Sequence, residues 1–352
     1  MKSDYYEYNG ILHIHSIYSD GAGTIEEISK AAKEANVDFI GITDHNTLRG
    51  LEEEGEGFVN DVFVLIGCEI NDKFNKNHYL AFGIKQAPSI RLSAKDYVKF
   101  VKEQNGIGFI AHPFEKRNAF KEHPPYPWIE WESEDFDGIE IWNHMSQWME
   151  NLSEDNKYEF FIHPLKFISK PCEESLKKFD EISLKRKISA IGGVDAHAHK
   201  VNILGFVEVE VFPYKVMFKS IRNYILVKEP LIKDKSMTEK NKQIILNALR
   251  NGNLYVANSY RGDPQGFKFW AEYNDKTFIM GDEINFNANS EIIFKCYVPH
   301  KESNILLKKN GKTILEKKGN ELLLSCKEKG IYRVEVILNN VGWIYSNPIR
   351  VI

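Results

Sequence analysis

The feature that most constrains the fold is a recurring unit in which a short apolar segment ends directly on histidine or a carboxylate. The apolar runs at residues 37–43 and 107–111 have the length of buried strands. Helical spacing of apolar residues lies between such runs, as in residues 24–36, where Thr24 and Glu27 form a capping-box pattern. Strands that alternate with helices predict a parallel sheet whose strand ends meet at one face. The polar residues that end the strands should therefore meet there too.

The pattern divides the chain into two regions. The number of strand–helix units before residue 264 predicts an α/β barrel rather than a small open sheet. From residue 265 the chain has short strand-like runs without helical spacing, and Asn310-Gly311 is a hairpin signal. We therefore predict a barrel domain over residues 1–264 and a small all-β sandwich, of immunoglobulin-like type, over residues 265–352.

Composition and charge exclude several classes of protein. Of the 352 residues 43% are hydrophobic and 27% are charged, and the net charge of −4 gives no reason to expect a nucleic-acid groove over the whole surface. No apolar run approaches the ~20 residues that span a bilayer, and the N-terminus lacks the apolar core of a signal peptide. The four cysteines have no C-x-x-C spacing, so neither a disulfide framework nor a zinc knuckle is indicated. We expect a cytoplasmic protein.

Histidine is concentrated in the first 200 residues, which hold ten of the eleven. Side chains two apart on a strand share a face, so His13 and His15 should point the same way. Two neighbouring imidazoles suit a divalent metal, whereas the alternative is an edge strand with two exposed histidines. The recurrence of the same signal at later strand ends favours the metal site.

The residues at the strand ends share nitrogen or carboxylate donors. They are His13, His15, Asp20, Asp44, His45, Glu69, His112, Asp195 and His197. This mixture suits borderline divalent ions such as zinc, manganese or iron. The set exceeds what one ion needs, which favours a cluster of two or three, and a carboxylate such as Glu69 can bridge two ions with its two oxygens.

Together these segments resemble the polymerase and histidinol phosphatase (PHP) family of metal-dependent phosphoesterases. The matching stretches, in family order, are His13-Ile14-His15, Ser19-Asp20-Gly21, Thr43-Asp44-His45-Asn46, Gly67-Cys68-Glu69, Ala111-His112-Pro113 and Val194-Asp195-Ala196-His197. The chain is most similar to the branch with a C-terminal sandwich, the CehA/McbA-like metallohydrolases. The resemblance implies a distorted seven-stranded (β/α) barrel.

The resemblance also implies roles for individual residues. It assigns one metal to His13, His15, Glu69 and Asp195, a second to Glu69 and His112, and a third to Asp20, His45 and His197. Many members supply a further ligand from the strand that ends here at Asn143-His144, so His144 is a candidate ligand. The catalytic residues would be Asp44, His45 and Glu69, with orientation of a ligand as the alternative role for Asp44. We expect His78 to be a structural histidine and His199 a surface one.

The function implied is hydrolysis of a phosphate mono- or diester of a small molecule or nucleotide. A divalent metal lowers the pKa of bound water to roughly 7, which supplies hydroxide at neutral pH. A nearby cation would neutralise the phosphoryl oxygens, and the candidates are Arg117, Arg49 and Lys200. The alternative for each is a solvated surface charge.

Other functions stay open at this point. The same site would suit hydrolysis of a carboxylic ester, amide or carbamate, and a non-catalytic metal-binding module is a third alternative. The expected partner is a small phosphorylated molecule and not a membrane. Nucleic acid is expected only as a nucleotide or short oligonucleotide substrate, because the chain has no strong basic balance. The sequence does not indicate the oligomeric state.

Overall fold

The computed structural model describes residues 5–117, 124–203, 207–287 and 290–352. The strands before residue 264 are β1 (Tyr6–Ile14), β2 (Phe39–Ile42), β3 (Gly57–Val59), β4 (Val62–Ile66), β5 (Cys68–Ile70), β6 (Tyr79–Phe82), β7 (Ile107–Ile110), β8 (Gly138–Asn143), β9 (Ser189–Gly193), β10 (His199–Ile203), β11 (Val207–Val211), β12 (Ile221–Val227) and β13 (Leu254–Asn258). The helices are α1 (Ile25–Glu34), α2 (Arg49–Glu53), α3 (Ala94–Glu103), α4 (His144–Asn151), α5 (Lys157–Ile162), α6 (Glu173–Lys185), α7 (Tyr214–Met217) and α8 (Thr238–Asn251), and a single 3-10 turn (Lys235–Met237) precedes α8. In the ranges given above, no helix combines the length and the apolarity needed to cross a bilayer.

Helix α1 forms where the capping pattern predicts it. The Thr24 hydroxyl accepts from the backbone N–H of Glu27, whose carboxylate accepts in turn from the backbone N–H of Thr24 at 2.9 Å. These reciprocal bonds satisfy two of the N–H groups that a helix start leaves without partners. Ile25, Ile28 and Ala32 then bury one face of the helix, so the expectation of an amphipathic helix is confirmed.

The strands of the first region form mixed sheets. β1 pairs with β2 and β2 with β4 in parallel, and so do β7 with β8 and β8 with β9. β6 is antiparallel to both β5 and β7, as expected for an inserted strand, and β12 is antiparallel to β1. Helix α1 lies between the parallel strands β1 and β2, and α4 to α6 lie between β8 and β9, as the predicted alternation requires, whereas the antiparallel strands β5 and β6 are joined without a helix.

The apolar run at residues 62–69 is divided into two strands. β4 pairs with β2 in one sheet, whereas β5 belongs to the sheet of β6 to β9. The break falls at Gly67, where a side chain's Cβ would lie 2.3 Å from the carbonyl oxygen of Ala81. Only glycine lets the backbones approach this closely. Because of the break, Glu69 does not continue strand β4 but lies in the separate strand β5.

The two sheets meet at their strand ends. Isolated parallel bridges join Ile14 to Ala196 and His45 to Glu69. The backbone N–H of Asp195 donates to the carbonyl of His13 at 2.8 Å. The ends of β1, β2, β5 and β9 therefore lie together, and the polar residues that follow them are brought to one place.

The C-terminal region is built of strands. They are β14 (Lys268–Tyr273), β15 (Lys276–Ile279), β16 (Glu283–Ile284), β17 (Ile292–Tyr297), β18 (Asn304–Lys309), β19 (Lys312–Lys318), β20 (Glu321–Cys326), β21 (Gly330–Leu338), β22 (Val341–Ser346) and β23 (Ile349–Val351). Asn310 and Gly311 join β18 to β19 with φ of 52° and 78°, which confirms the predicted hairpin. β22 pairs with β13, so hydrogen bonds continue from the first region into this one.

Candidate metal centre

Backbone kinks aim the first ligands into the site. The backbone φ angles of His13, His112 and Asp195 are 66°, 26° and 57°. They lie in the left-handed region, which residues other than glycine seldom adopt. The pairing of β1 with β2 shifts its register at the same place, between Leu12 and Ile14. His13 and His15 thus converge through an irregular strand and not through simple alternation. Such strain costs free energy and persists only where the surrounding structure enforces it. It is therefore typical of functional sites.

Two histidines and two carboxylates form the buried centre of the site. The Nε2 atoms of His13 and His15 lie 3.2 and 3.1 Å from Glu69 Oε2. Both nitrogens also lie 3.4 Å from Asp195 Oδ1. All four side chains are buried. Four donors of metal-ligand type therefore surround one point without solvent.

The second oxygen of Glu69 faces a different pair of imidazoles. Glu69 Oε1 lies 3.3 Å from His112 Nε2 and 2.7 Å from His78 Nδ1. Because its two oxygens point to separate groups of nitrogens, Glu69 has the arrangement of a bridging carboxylate. The other ring nitrogen of His78 lies 3.2 Å from Asn75 Oδ1, so both nitrogens have partners within the protein, as expected of a structural histidine.

A third group of donors lies around Asp20, whose side chain is half exposed. Asp20 Oδ1 is 3.4 Å from His197 Nε2 and 3.6 Å from His15 Nδ1. Asp20 Oδ2 is 3.7 Å from His45 Nε2, and the other ring nitrogen of His45 is 3.3 Å from Glu69 Oε2. This group borders a cavity, so a substrate can reach it.

The hydrogen bonding of the donors, as well as their chemistry, fits the binding of a divalent ion. Among the described residues, five buried imidazole nitrogens of the centre find no hydrogen-bond partner: Nε2 of His13, both nitrogens of His15, Nδ1 of His45 and Nδ1 of His112. Unsatisfied buried polar atoms are costly, and native proteins seldom keep several together. Among the described residues, the ligand atoms of His13, His15 and Asp195 all lie within 4.8 Å of one another, and the same holds for the set His15, Asp20, His45 and His197. Metal coordination would satisfy most of these nitrogens.

The carboxylates and histidines shift each other's pKa values. Burial alone would raise the pKa of Glu69 and Asp195, but the charge of His13 and its neighbours holds both well below their usual values. Burial lowers the pKa of His15, yet its contacts with Asp195 and Glu69 raise it to about 10. In the same way, nearby carboxylates overcome burial and raise the pKa of His112 to about 9. The acids thus stay ionised and attract positive charge.

Glu140 is a functional residue that sequence reasoning missed. Its Oε1 lies 2.9 Å from His13 Nδ1, and its Oε2 accepts from the backbone N–H of His112 at 2.8 Å. A carboxylate on Nδ1 fixes the ring and leaves Nε2 facing the other donors. The signal was present, since Glu140 is a buried acid between Ile139 and Ile141 in an apolar strand.

Asp44 lies beside the donors but does not join their groups. Its Oδ1 accepts from the backbone N–H of Ser16 at 2.7 Å and from the Ser19 hydroxyl at 2.6 Å. Its Oδ2 accepts from the Ser16 hydroxyl at 2.6 Å. Asp44 therefore holds the turn after β1 that carries Asp20.

The strand β8 contributes Asn143 and not His144 to the centre. His144 Nδ1 lies 2.7 Å from the Ser220 hydroxyl, and burial lowers the pKa of His144 to about 3. Among the described residues it belongs to none of the donor groups. The Asn143 amide instead donates to Glu140 at 3.0 Å and lies 3.4 Å from Asp195 Oδ2.

A cavity of about 930 Å³ opens over the centre. It is bordered by donors from all three groups, by His78 and His199, and by Arg117 and Tyr126. Arg117 lies 2.6 Å from the buried Glu115, and its guanidinium is 5.0 Å from the centre of the Tyr126 ring. His199 is exposed, as expected of a surface histidine, and the centre of its ring lies 4.8 Å from that of His197.

The other two candidate cations lie elsewhere. Arg49 forms an exposed ion pair with Glu53 one turn along α2, at 2.8 Å. Lys200 is an exposed residue of β10. Neither borders the cavity that the described residues form over the centre. Of the three predicted cations, only Arg117 is brought to the site.

The family assignment rests on comparison with known proteins. Residues 12–157 match the PHP domain. An uncharacterized protein of Methanocaldococcus jannaschii is 32% identical over 32% of this chain and 68% of its own length. The phosphoribosyl 1,2-cyclic phosphate 1,2-diphosphodiesterase of Eggerthella lenta is 33% identical, over 22% of this chain and 32% of its own length. This chain belongs to the PHP family, which confirms the resemblance seen in the motifs.

Two solved structures align with this chain at low sequence identity. A two-domain protein of Bacteroides vulgatus, described as containing a predicted PHP-like metal-dependent phosphoesterase, aligns over 98% of this chain and 96% of its own with 14% identity and a TM-score of 0.45. An amidohydrolase of Chromobacterium violaceum with bound sulfate aligns over 53% of this chain and 87% of its own, with 16% identity and a TM-score of 0.34.

Proposed function

We propose that this protein is a metal-dependent phosphoesterase that hydrolyses a phosphate mono- or diester of a small molecule or nucleotide. The observation that carries the proposal is the buried carboxylate of Glu69. Its two oxygens face separate groups of imidazole nitrogens, several of which find no hydrogen-bond partner among the described residues. Such a carboxylate is suited to hold two divalent ions close together.

The residues fit two or three divalent ions, which we propose to be zinc, manganese or iron. One would be held by His13, His15, Glu69 and Asp195, a second by Glu69 and His112 with His78 beside them, and a third by Asp20, His45 and His197. Bound at these positions, such ions would lower the pKa of water and neutralise phosphoryl oxygens. We retain His45 and Glu69 as catalytic residues and give Asp44 a positioning role.

The chain's own residues prepare the site for an anionic substrate. Glu140 fixes the ring of His13, and Asp44 fixes the turn of Asp20. Arg117 borders the cavity and is held by Glu115 and Tyr126, so its guanidinium is available as the cation for the phosphoryl oxygens. Arg49 and Lys200 have no part in this proposal.

We also propose that the first 264 residues form a distorted seven-stranded barrel and residues 265–352 an immunoglobulin-like sandwich. The bridges between Ile14 and Ala196 and between His45 and Glu69 support a closed arrangement, because they connect the two sheets at both sides. A small phosphorylated substrate and a cytoplasmic location remain predictions from the sequence.

The test is hydrolysis of model esters by metal-loaded protein. We expect turnover of p-nitrophenyl phosphate or its bis-ester with added manganese or zinc, and a loss of at least ~100-fold in kcat/KM for Glu69→Gln, which keeps the side chain's shape but removes its charge. His300→Ala, an exposed histidine of the C-terminal region, is the control and should retain activity.

Other outcomes would point to the alternatives. Turnover of p-nitrophenyl acetate without turnover of either phosphate ester would overturn the proposal in favour of an ester, amide or carbamate hydrolase. Bound metal without turnover of any ester would indicate a non-catalytic metal-binding module.

A further inference from the structure

The lining of the cavity over the metal centre is chemically mixed. It combines the metal-ligand donors and Arg117 with a surface of large apolar side chains. We call this surface the apolar wall. It is formed by Met145, Trp148 and Met149 of α4, Phe161 of α5, and Phe212, the residue after β11.

Trp148 is the centre of the apolar wall. The centre of its ring lies 5.4 Å from the ring centre of Phe161 and 5.0 Å from that of Phe212, and both pairs are edge to face. The indole N–H donates to the carbonyl of Phe160 at 3.3 Å. The one polar group of Trp148 is therefore used inside the protein, and the wall offers a ligand apolar contact rather than hydrogen bonds.

Phe212 is held in the apolar wall at a conformational cost. Its φ is 54°, in the left-handed region that a bulky residue rarely adopts because it is strained there. Its carbonyl accepts from the backbone N–H of Ala198 at 3.1 Å, just after the ligand His197. The segment that carries the metal ligands thus also places Phe212. Strain of this kind persists where the surrounding structure enforces it, and it is concentrated at functional sites.

Phe161 completes the apolar wall although folding alone does not require it to be there. Its side chain is 46% exposed, on the short helix α5. An exposed aromatic ring is unremarkable by itself, but here the exposed ring borders the cavity of the metal centre. A bound apolar group would remove that ring from water, which is favourable.

We propose that the apolar wall binds the alcohol part of the substrate, so that the enzyme selects phosphate esters of apolar, ring-containing alcohols over those of sugars or glycerol. The inference rests on the proposed phosphoesterase function. The cavity of about 930 Å³ is far larger than a phosphoryl group and leaves room for such a group beside the metal centre. Hydroxyls placed against the wall would lose their hydrogen bonds to water without replacement.

The reaction releases that alcohol. The oxygen of water forms a bond to phosphorus, and the bond between phosphorus and the alcohol oxygen breaks. One proton of the water ends on the alcohol, and the phosphate keeps the other oxygen atoms. The bond between carbon and oxygen in the alcohol stays intact throughout. The wall therefore acts on binding and positioning and not on proton transfer.

The test compares esters of primary alcohols that differ in the group to be bound. Benzyl phosphate is compared with glycerol 1-phosphate, and the same pair is compared as methyl diesters, with metal-loaded enzyme. We expect kcat/KM to be about 10-fold or more higher for the benzyl esters. Phe161→Ser should reduce this ratio about 10-fold, and Met145→Gln of α4 should reduce it as well. Ile162→Ser, at the exposed neighbour that does not border this cavity, should leave the ratio unchanged.

Binding of phosphonates separates failure of the inference from failure of the proposed function. Benzylphosphonate should bind the metal-loaded protein about 10-fold more tightly than methylphosphonate, and Phe161→Ser should remove most of the difference. Equal kcat/KM for the two kinds of ester would overturn the inference. If no phosphate ester is hydrolysed, the proposed function fails, and the phosphonates decide: preference for benzylphosphonate supports the apolar site, whereas equal or undetectable binding overturns it.

Discussion

At the scale of single residues, Glu69 connects the donor groups. One of its oxygens lies within 3.3 Å of nitrogens of His13, His15 and His45, and the other faces His78 and His112. The side chain is 1% exposed, so water does not screen these contacts. A single carboxylate thus relates histidines that come from four different parts of the chain.

Glu140 should act on metal affinity through His13. We expect Glu140→Gln to weaken metal binding about 10- to 100-fold. An amide next to Nδ1 of His13 holds the imidazole ring less firmly than a carboxylate does, and it raises the basicity of the ring less. Metal affinity is measured by competition with a chelator of known affinity. Glu132→Gln, an exposed position, is the matched control. Equal affinity in the two variants would show that Glu140 has no such role.

Metal binding should release protons. Contacts with carboxylates raise the pKa of His15 to about 10 and that of His112 to about 9, so the metal-free protein keeps both protonated at pH 7. A metal must displace these protons, and its affinity should therefore increase as pH rises from 6 toward 9. Calorimetry of metal binding in two buffers of different ionisation enthalpy measures the release. A binding enthalpy that is the same in both buffers would contradict the expectation.

At the scale of elements, helix α1 and the parallel strands β2 and β7 could be predicted from the sequence. Helix α1 has its capping residues, and the apolar strands end where the ligands begin. The bulge at His13 could not be predicted, because it depends on the pairing of β1 with β2 and not on local propensity. The position of His78 beside Glu69 could not be predicted either, since it depends on the pairing of β5 with β6.

The contact of α6 with β21 should be sensitive to loss of one charge. Arg333 donates to both carboxylate oxygens of Asp180 at 2.7 Å, and both side chains are buried. We expect Asp180→Ala to lower the free energy of unfolding by about 3 kcal/mol, because the buried guanidinium of Arg333 then loses a carboxylate that balances its charge.

Denaturant unfolding measures this loss, and the helix offers a control. Glu181→Ala removes an exposed pair with Lys178 on the same helix and should cost less than about 1 kcal/mol. If Asp180→Ala costs no more than Glu181→Ala, the buried pair does not stabilise the contact between the regions.

At the scale of the whole molecule, the sequence predicted which residues meet better than it predicted how the regions join. The ligand set could be read from polar residues after apolar strands. The pairing of β13 with β22 could not, because strand partners distant in the chain leave no local pattern. The division at residue 264 therefore remains a proposal.

The cavity also shows what whole-molecule packing adds. Its apolar wall comes from α4, α5 and the residue after β11, which are far apart in the chain. The metal centre is set by motifs, whereas the apolar wall is set by packing. Substrate selection by that surface could not be inferred before the structure was known.

The metal content of the protein is the most direct test of the account. Elemental analysis of protein purified without chelator should find two or three equivalents of divalent metal. His13→Ala and His112→Ala should each lose part of it, because they belong to different donor groups. His300→Ala should keep the full content. Absence of bound metal even after reconstitution with manganese, iron or zinc would contradict the account.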